Sequence, residues 1–141
     1  METKDLMEKA VRFHGHICPG LAMGVLAAKY ILEHGFKYSH DEELVAVVEN
    51  DNCSIDAIQV LLGTTYGKGN LIHLDYGKNN YTIYNRSQKK AIKLSQKLRR
   101  KDQGDLSLQE RLNYLLESNP EDIFKIEEVA FNPPSKSQIN E

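Results

Sequence analysis

Two imidazoles and a thiol stand at alternate positions in Phe13-His14-Gly15-His16-Ile17-Cys18-Pro19-Gly20. In an extended chain alternate side chains leave one face. The spacing therefore predicts a strand or loop on which His14, His16 and Cys18 converge. In a helix the same spacing would turn His16 away from the other two. Convergent nitrogen and sulfur donors suit zinc or another borderline divalent ion. Pro19 fits the first position of a helix, which places Cys18 at the helix N-cap. There the helix dipole and free N–H groups favour a thiolate, the form that binds a metal. The bland alternative is a pair of surface histidines beside a small packed thiol.

Cys53 is the second thiol. It follows an apolar run and an Asp51-Asn52 turn, and precedes a helical pattern. A buried, inert cysteine is the competing reading. With His14, His16 and Cys18 it completes a four-donor set. A structural site uses all four donors, whereas a catalytic site keeps one position open. Asp56 and Gln59 are three apart on the following helix and share a face. They are candidates to support a ligating imidazole, or else part of a solvated stripe. Gly63 to Asn70 resembles a phosphate loop but fails the test. Gly63 and Gly67 are one residue too close for GxxxxGK[ST], and Gly69 stands where Ser or Thr is needed. A standard nucleotide hydrolase is disfavoured, although Lys68 and the loop N–H groups are candidates for holding an anion.

These residues need elements to position them. The pattern predicts a helix over Thr3–Phe13, a small-residue helix from Pro19 to about His34, and a buried strand over Leu44–Val48. A helix over Ser54–Leu62 follows. Leu71–Asp75 and Tyr81–Asn85 read as a hairpin around Gly77-Lys78-Asn79-Asn80. Helices are expected over Gln88–Arg100 and Leu106–Leu116, broken near Gly104. Asn119-Pro120-Glu121-Asp122 reads as a helix start and Lys125–Phe131 as a last strand. The expected fold class is α+β, a single compact domain with a small mixed or antiparallel sheet packed by helices. Its core spans residues 1–131, and 132–141 form a loose, Pro- and Ser-bearing tail.

The chain has 141 residues, enough for one domain with a real core. Hydrophobic residues make up 40% and charged residues 27%, as in an ordinary soluble globule. A net charge of −2 argues against general nucleic-acid binding. The basic residues Lys89-Lys90 and Arg99-Arg100-Lys101 read as a solvated helix face. No run approaches the ~18–20 apolar residues of a membrane span, and the charged N-terminus is unlike a signal peptide. The expected location is cytoplasmic, where a structural disulfide between Cys18 and Cys53 is disfavoured.

Four ordered blocks resemble the FmdE family, named for a component of formylmethanofuran dehydrogenase. They are Phe13-His14-Gly15-His16-Ile17-Cys18-Pro19-Gly20-Leu21, the run from Val48 to Gln59 that includes Asn50-Asp51-Asn52-Cys53-Ser54, Gly67-Lys68-Gly69-Asn70-Leu71, and Asp75-Tyr76-Gly77-Lys78. The resemblance covers roughly residues 5 to 130. It implies an α+β core that forms an intertwined homodimer, and a metal-bearing cavity lined by His14, His16, Cys18 and Cys53. Asp56, Gln59 and Lys68 would stand around that cavity as cofactor-binding residues. Of the two histidines, His16 is the preferred direct ligand because it is nearer Cys18. Two departures stand out. No cysteine follows Cys53, so the likeness is to the core domain without the zinc finger many members carry. Thr64 occupies a position where members often have cysteine.

The resulting expectation is a metal-binding protein with an enzyme-like site, holding zinc, with nickel, iron or copper permitted by the donors. A catalytic metal would lower the pKa of a bound water or polarise a carbonyl. That would be hydrolytic or one-carbon chemistry on an unknown small molecule, linked through the family to a molybdenum- or tungsten-pterin enzyme. The alternative is an accessory protein that delivers or senses a metal or oxyanion for a molybdoenzyme. A third reading is an assembly component with a purely structural metal.

Overall fold

In a computed structural model that describes residues 1–97 and 105–134, one layer of helices packs on a five-stranded sheet. The helices are α1 (Thr3–His14), α2 (Pro19–Glu33), α3 (Ser54–Leu62), α4 (Leu108–Glu117) and the single turn α5 (Pro120–Ile123). The strands are β1 (Leu44–Val48), β2 (Leu71–His73), β3 (Asn80–Asn85), β4 (Lys90–Gln96) and β5 (Phe124–Val129). The sheet runs β2-β1-β3-β4-β5. Among the described residues only β1 and β2 are parallel, with α3 in the crossover between them. This mixed sheet under helices is the expected α+β class.

β1 explains the order. All five of its residues are buried, because both faces are covered. Leu44, Ala46 and Val48 join the main core with Tyr81, Ile83 and Leu94. Val45 and Val47 pack with Ile72 on the other face, beside Leu74 and Tyr84. A run apolar on both faces belongs in the sheet interior, so β1 takes a neighbour on each side. The expected hairpin between Leu71–Asp75 and Tyr81–Asn85 therefore does not form. β1 lies between those strands, and the hairpin is instead β3–β4, in register from Asn80↔Ser95 to Asn85↔Lys90.

The expected helix over Gln88–Arg100 is also corrected. Residues Lys90–Gln96 are β4, paired on both sides, with Leu94 opposite Tyr81 and Ile126. Ala91, Leu94 and Leu98 fall at spacings that suit a helix equally well. Two waiting strand edges decide otherwise, and tertiary pairing overrides propensity here. The end of that stretch, the break at Gly104 and the tail beyond Pro134 lie outside the described residues.

α2 is buried nearly all round, from Leu21 through Ala28 to Ile31. Its small residues permit a close crossing with α3. A Cβ on Gly24 would sit 2.3 Å from the Ser54 carbonyl oxygen and 2.8 Å from its Cα. A glycine is required for this approach, which brings the starts of α2 and α3 together and so gathers the residues before them. Among the described residues, no helix is long and apolar enough to cross a membrane.

Candidate metal centre

Of the expected strand or loop, the structure has a loop over residues 15–18, with His14 still in the helix before it. α1 continues through His14 and ends at Gly15, which adopts φ +105° and donates its N–H to Val11 O at 2.7 Å. This left-handed residue, favourable for glycine, turns the chain so that His16 returns toward His14. Their ring centroids lie 4.4 Å apart with planes inclined by 42°. The expected convergence is thus reached by a helix end and a turn.

Cys18 is the N-cap of α2, extended at φ −156° and ψ 160°, and its sulfur accepts from Leu21 N at 3.4 Å. Cys53 precedes α3 in a helical conformation and makes no capping bond. Burial pushes the Cys53 thiol above its ordinary range, and hydrogen bonding and charge at the neighbouring Cys18 act in the same direction. Both cysteines are free.

One donor atom from each of His14, His16, Cys18 and Cys53 lies within 4.8 Å of the other three. His16 is exposed, and the other three residues are partly buried. Ligand bonds of ~2.0–2.3 Å around a tetrahedral ion separate donors by roughly 3.3–3.8 Å. The set therefore needs to close by roughly an ångström around an ion.

The electrostatics single out His14. Its Nδ1 lies 2.6 Å from Asp56 Oδ2, in the first turn of α3. Gln59 Nε2 donates to Asp56 Oδ1 at 3.3 Å, and Tyr66 N donates to Gln59 Oε1 at 3.3 Å. A carboxylate facing Nδ1 favours the tautomer with the proton there and leaves Nε2 with a lone pair. His14 Nε2 is buried and has no hydrogen-bond partner among the described residues. Buried polar atoms are rarely left so, and a carboxylate-oriented imidazole with an open nitrogen is the usual form of a metal-ligating histidine. These residues fit a metal ion.

The other expected residues are placed as follows. Asp56 contacts the His14 ring directly, and Gln59 contacts Asp56. Lys68 is engaged elsewhere: its Nζ donates to Ser39 O at 2.7 Å and His40 O at 3.2 Å, and lies 5.8 Å from the centre of the Tyr38 ring. Thr64 is fully buried and donates to Ile58 O at 3.2 Å. Asn70 carries no separate signal in the sequence beyond its place in the Gly67–Leu71 block. Its fully buried side chain donates to Asp41, Leu44 and Gly63 carbonyls and accepts from Thr65 N. It joins the loop before β1 to the loop after α3.

Fold and site define an α+β protein with a clustered His/Cys centre at a three-helix junction. The pattern described as FmdE, molybdenum formylmethanofuran dehydrogenase operon, matches residues 13–129, and the chain belongs to this family. It is 32% identical over 166 aligned positions to a probable S-adenosyl-L-methionine-binding protein of Archaeoglobus fulgidus. That alignment takes in 96% of this chain but 45% of the relative, so the chain spans less than half of that protein's length. A crystal structure of a tungsten formylmethanofuran dehydrogenase FmdE-like protein from Syntrophus aciditrophicus superposes with a TM-score of 0.70. The two share 21% identity, over 93% of this chain and 73% of that one, and therefore the fold.

Proposed function

We propose that the chain is a metal-binding protein whose His/Cys centre holds one divalent ion, zinc by preference. The observation that carries this reading is the buried Nε2 of His14, without a partner among the described residues, beside two thiols and with Asp56 behind the ring. His14, Cys18 and Cys53 would hold the ion. His16, the exposed member, would be the fourth ligand or an acid–base group. This reverses the order of the two histidines expected from the sequence. When bound, the ion would supply Lewis acidity. The chain's own residues supply the rest: Asp56 holds the His14 proton on Nδ1, Gln59 holds Asp56, and Leu21 N–H stabilises the Cys18 sulfur.

The reaction class that fits is hydrolytic or one-carbon chemistry on a small molecule. The family's operon description supports a link to a molybdenum or tungsten enzyme, and the Archaeoglobus relative's name supports a small-molecule ligand. The exposure of His16 favours a second reading, in which the ion is handed on to a partner rather than kept. Lys68 keeps the proposed role of an anion contact through its remaining proton. A homodimer in the cytoplasm completes the proposal. Supporting it is an apolar cleft of about 630 Å³ on α1, walled by Met7, Val11, Ile17 and Leu116, with Phe13 also exposed nearby in sequence. Sedimentation at micromolar concentration tests the dimer, and a monomer rejects it.

Elemental mass spectrometry on untagged protein tests the centre. About one metal per chain, lost in both Cys18→Ser and Cys53→Ser, is expected. Full stoichiometry in Cys18→Ser would reject the site. Complete unfolding on chelation would favour a structural metal.

A further inference from the structure

The two thiols are flanked in the chain by a second, unassigned cavity. It has a volume of about 340 Å³ and is lined by Pro19 and Gly20 after Cys18, and by Asn52 and Ser54 on either side of Cys53. Met23, Asn79, Gln96, Arg111 and Leu115 complete the lining. Gly20 belongs to both neighbourhoods, since a Cβ there would lie 3.4 Å from the Cys53 Cβ.

The wall is an ordered amide network. Asn52 Nδ2 donates to Asn79 Oδ1 at 2.9 Å, and Asn79 Nδ2 donates to Gln96 Oε1 at 2.7 Å. Asn50 Nδ2 reaches the same Asn79 oxygen at 3.0 Å. Ser54 Oγ donates to Asn52 Oδ1 at 2.5 Å and meets the buried Tyr81 hydroxyl at 2.6 Å. These bonds leave Asn52 and Asn79 a second amide proton each.

Arg111, from α4, is the one charged side chain among the lining residues. Among the described residues its guanidinium has no carboxylate partner, and its Nε is buried without a hydrogen-bond acceptor. A buried guanidinium N–H without an acceptor costs free energy that an anion would offset. In the first turn of α2, Pro19 has no N–H, and those of Leu21 and Ala22 are taken by the Cys18 sulfur and carbonyl, so the helix start adds the Gly20 N–H and the positive end of its dipole to the same cavity.

We propose that this cavity is an oxyanion subsite, in which Arg111 holds the carboxylate or phosphate of a small organic ligand. The guanidinium fork suits two-point recognition of either group, and the amides supply further donors. The adjoining His/Cys centre would then meet the far end of that ligand. That last relation rests on the metal reading, whereas anion binding at Arg111 does not.

The test is a ¹⁵N–¹H spectrum of the full chain that includes arginine Nε–H signals, with and without zinc, titrated separately with sodium acetate and sodium phosphate at fixed ionic strength. Arg111→Lys identifies the Arg111 signal by its absence. The expected result is a saturable shift of that signal with at least one anion. Acetate alone saturating assigns a carboxylate, and phosphate alone a phosphate. Read on the Asn52 and Asn79 side-chain amide signals of the same spectrum, Arg111→Gln and Arg111→Lys should weaken binding by about tenfold or more, with metal content unchanged. No saturable shift in the wild-type signal with either anion would overturn the proposal. So would undiminished affinity in Arg111→Gln. Saturation at Arg111 in protein that binds no metal would keep this subsite and reject the metal centre.

Discussion

Two cysteines stand at the starts of two helices, and the chain treats those starts differently. Cys18 is extended, and its sulfur is tied to Leu21 N. Cys53 is already helical and makes no capping bond. Asn52 serves instead, its Oδ1 accepting from Ser54 N at 2.9 Å. The first thiol is therefore a cap as well as a candidate donor, and the second is a candidate donor alone. Local backbone satisfaction at α3 has been moved onto an amide, which leaves the Cys53 sulfur free to face the other donors.

The largest expected effect breaks the pair functionally while separating it structurally. Cys18→Ser and Cys53→Ser should each lower metal affinity by about 100-fold or more, read by competition with a chelator. Serine is itself a good N-cap. Cys18→Ser should therefore leave the metal-free protein's stability within about 0.5 kcal/mol. A large loss there would show that the sulfur's role is structural.

Asp56→Asn comes next, with an expected drop in metal affinity of about 10- to 100-fold. The fold should survive, because Asn can still face Gln59. An unchanged affinity would place the imidazole's support elsewhere. Gly24→Ala tests the shared geometry of the two helix starts, since its Cβ would meet the Ser54 backbone at 2.3 Å. A destabilisation of about 2 kcal/mol by denaturant unfolding is expected, with metal affinity falling in parallel.

Ser54→Ala should cost about 1–2 kcal/mol by leaving the buried Tyr81 hydroxyl short of a partner. The smallest effect concerns pH. Burial raises the Tyr81 phenol above its ordinary value, against the hydrogen bonds from Ser54 and Asn50. A group raised in the folded state contributes stability that is full below its unfolded pKa of about 10 and is lost as pH rises through the folded value. Stability should therefore decline above about pH 10, and Tyr81→Phe should soften that decline. A profile identical to wild type would remove Tyr81 from the account.

Much of the first half of the chain is legible in its residues. α1, α2, β1 and α3 can be read there because glycine, proline and apolar spacing agree. The four donors are announced by His14, His16, Cys18 and Cys53 themselves. β4 is not legible, because Ala91, Leu94 and Leu98 satisfy a helical spacing and only the edges of β3 and β5 decide the matter. The false hairpin has the same origin, since the pairing of Tyr81–Asn85 with β1 is set by the two-sided burial of Val45–Val48. Arg111 is hidden in an amphipathic helix, where one arginine among polar neighbours reads as solvated. The path by which His14 and His16 meet is hidden too, because alternation and a left-handed turn both bring them together.

That turn has a consequence in the handedness of the chain. Gly15 has the mirror-image backbone, and nothing lies within 4 Å of where its Cβ would stand. Space for a methyl group is available, and only chirality forbids it. An L-alanine there would cost about 1 kcal/mol and pull the two imidazoles out of register. A D-alanine, introduced by chemical ligation, would fit the same φ and restrict the unfolded chain, gaining roughly 0.4–1 kcal/mol. The centre is thus held by a single stereochemical exception, and a residue of opposite hand would make it more rigid.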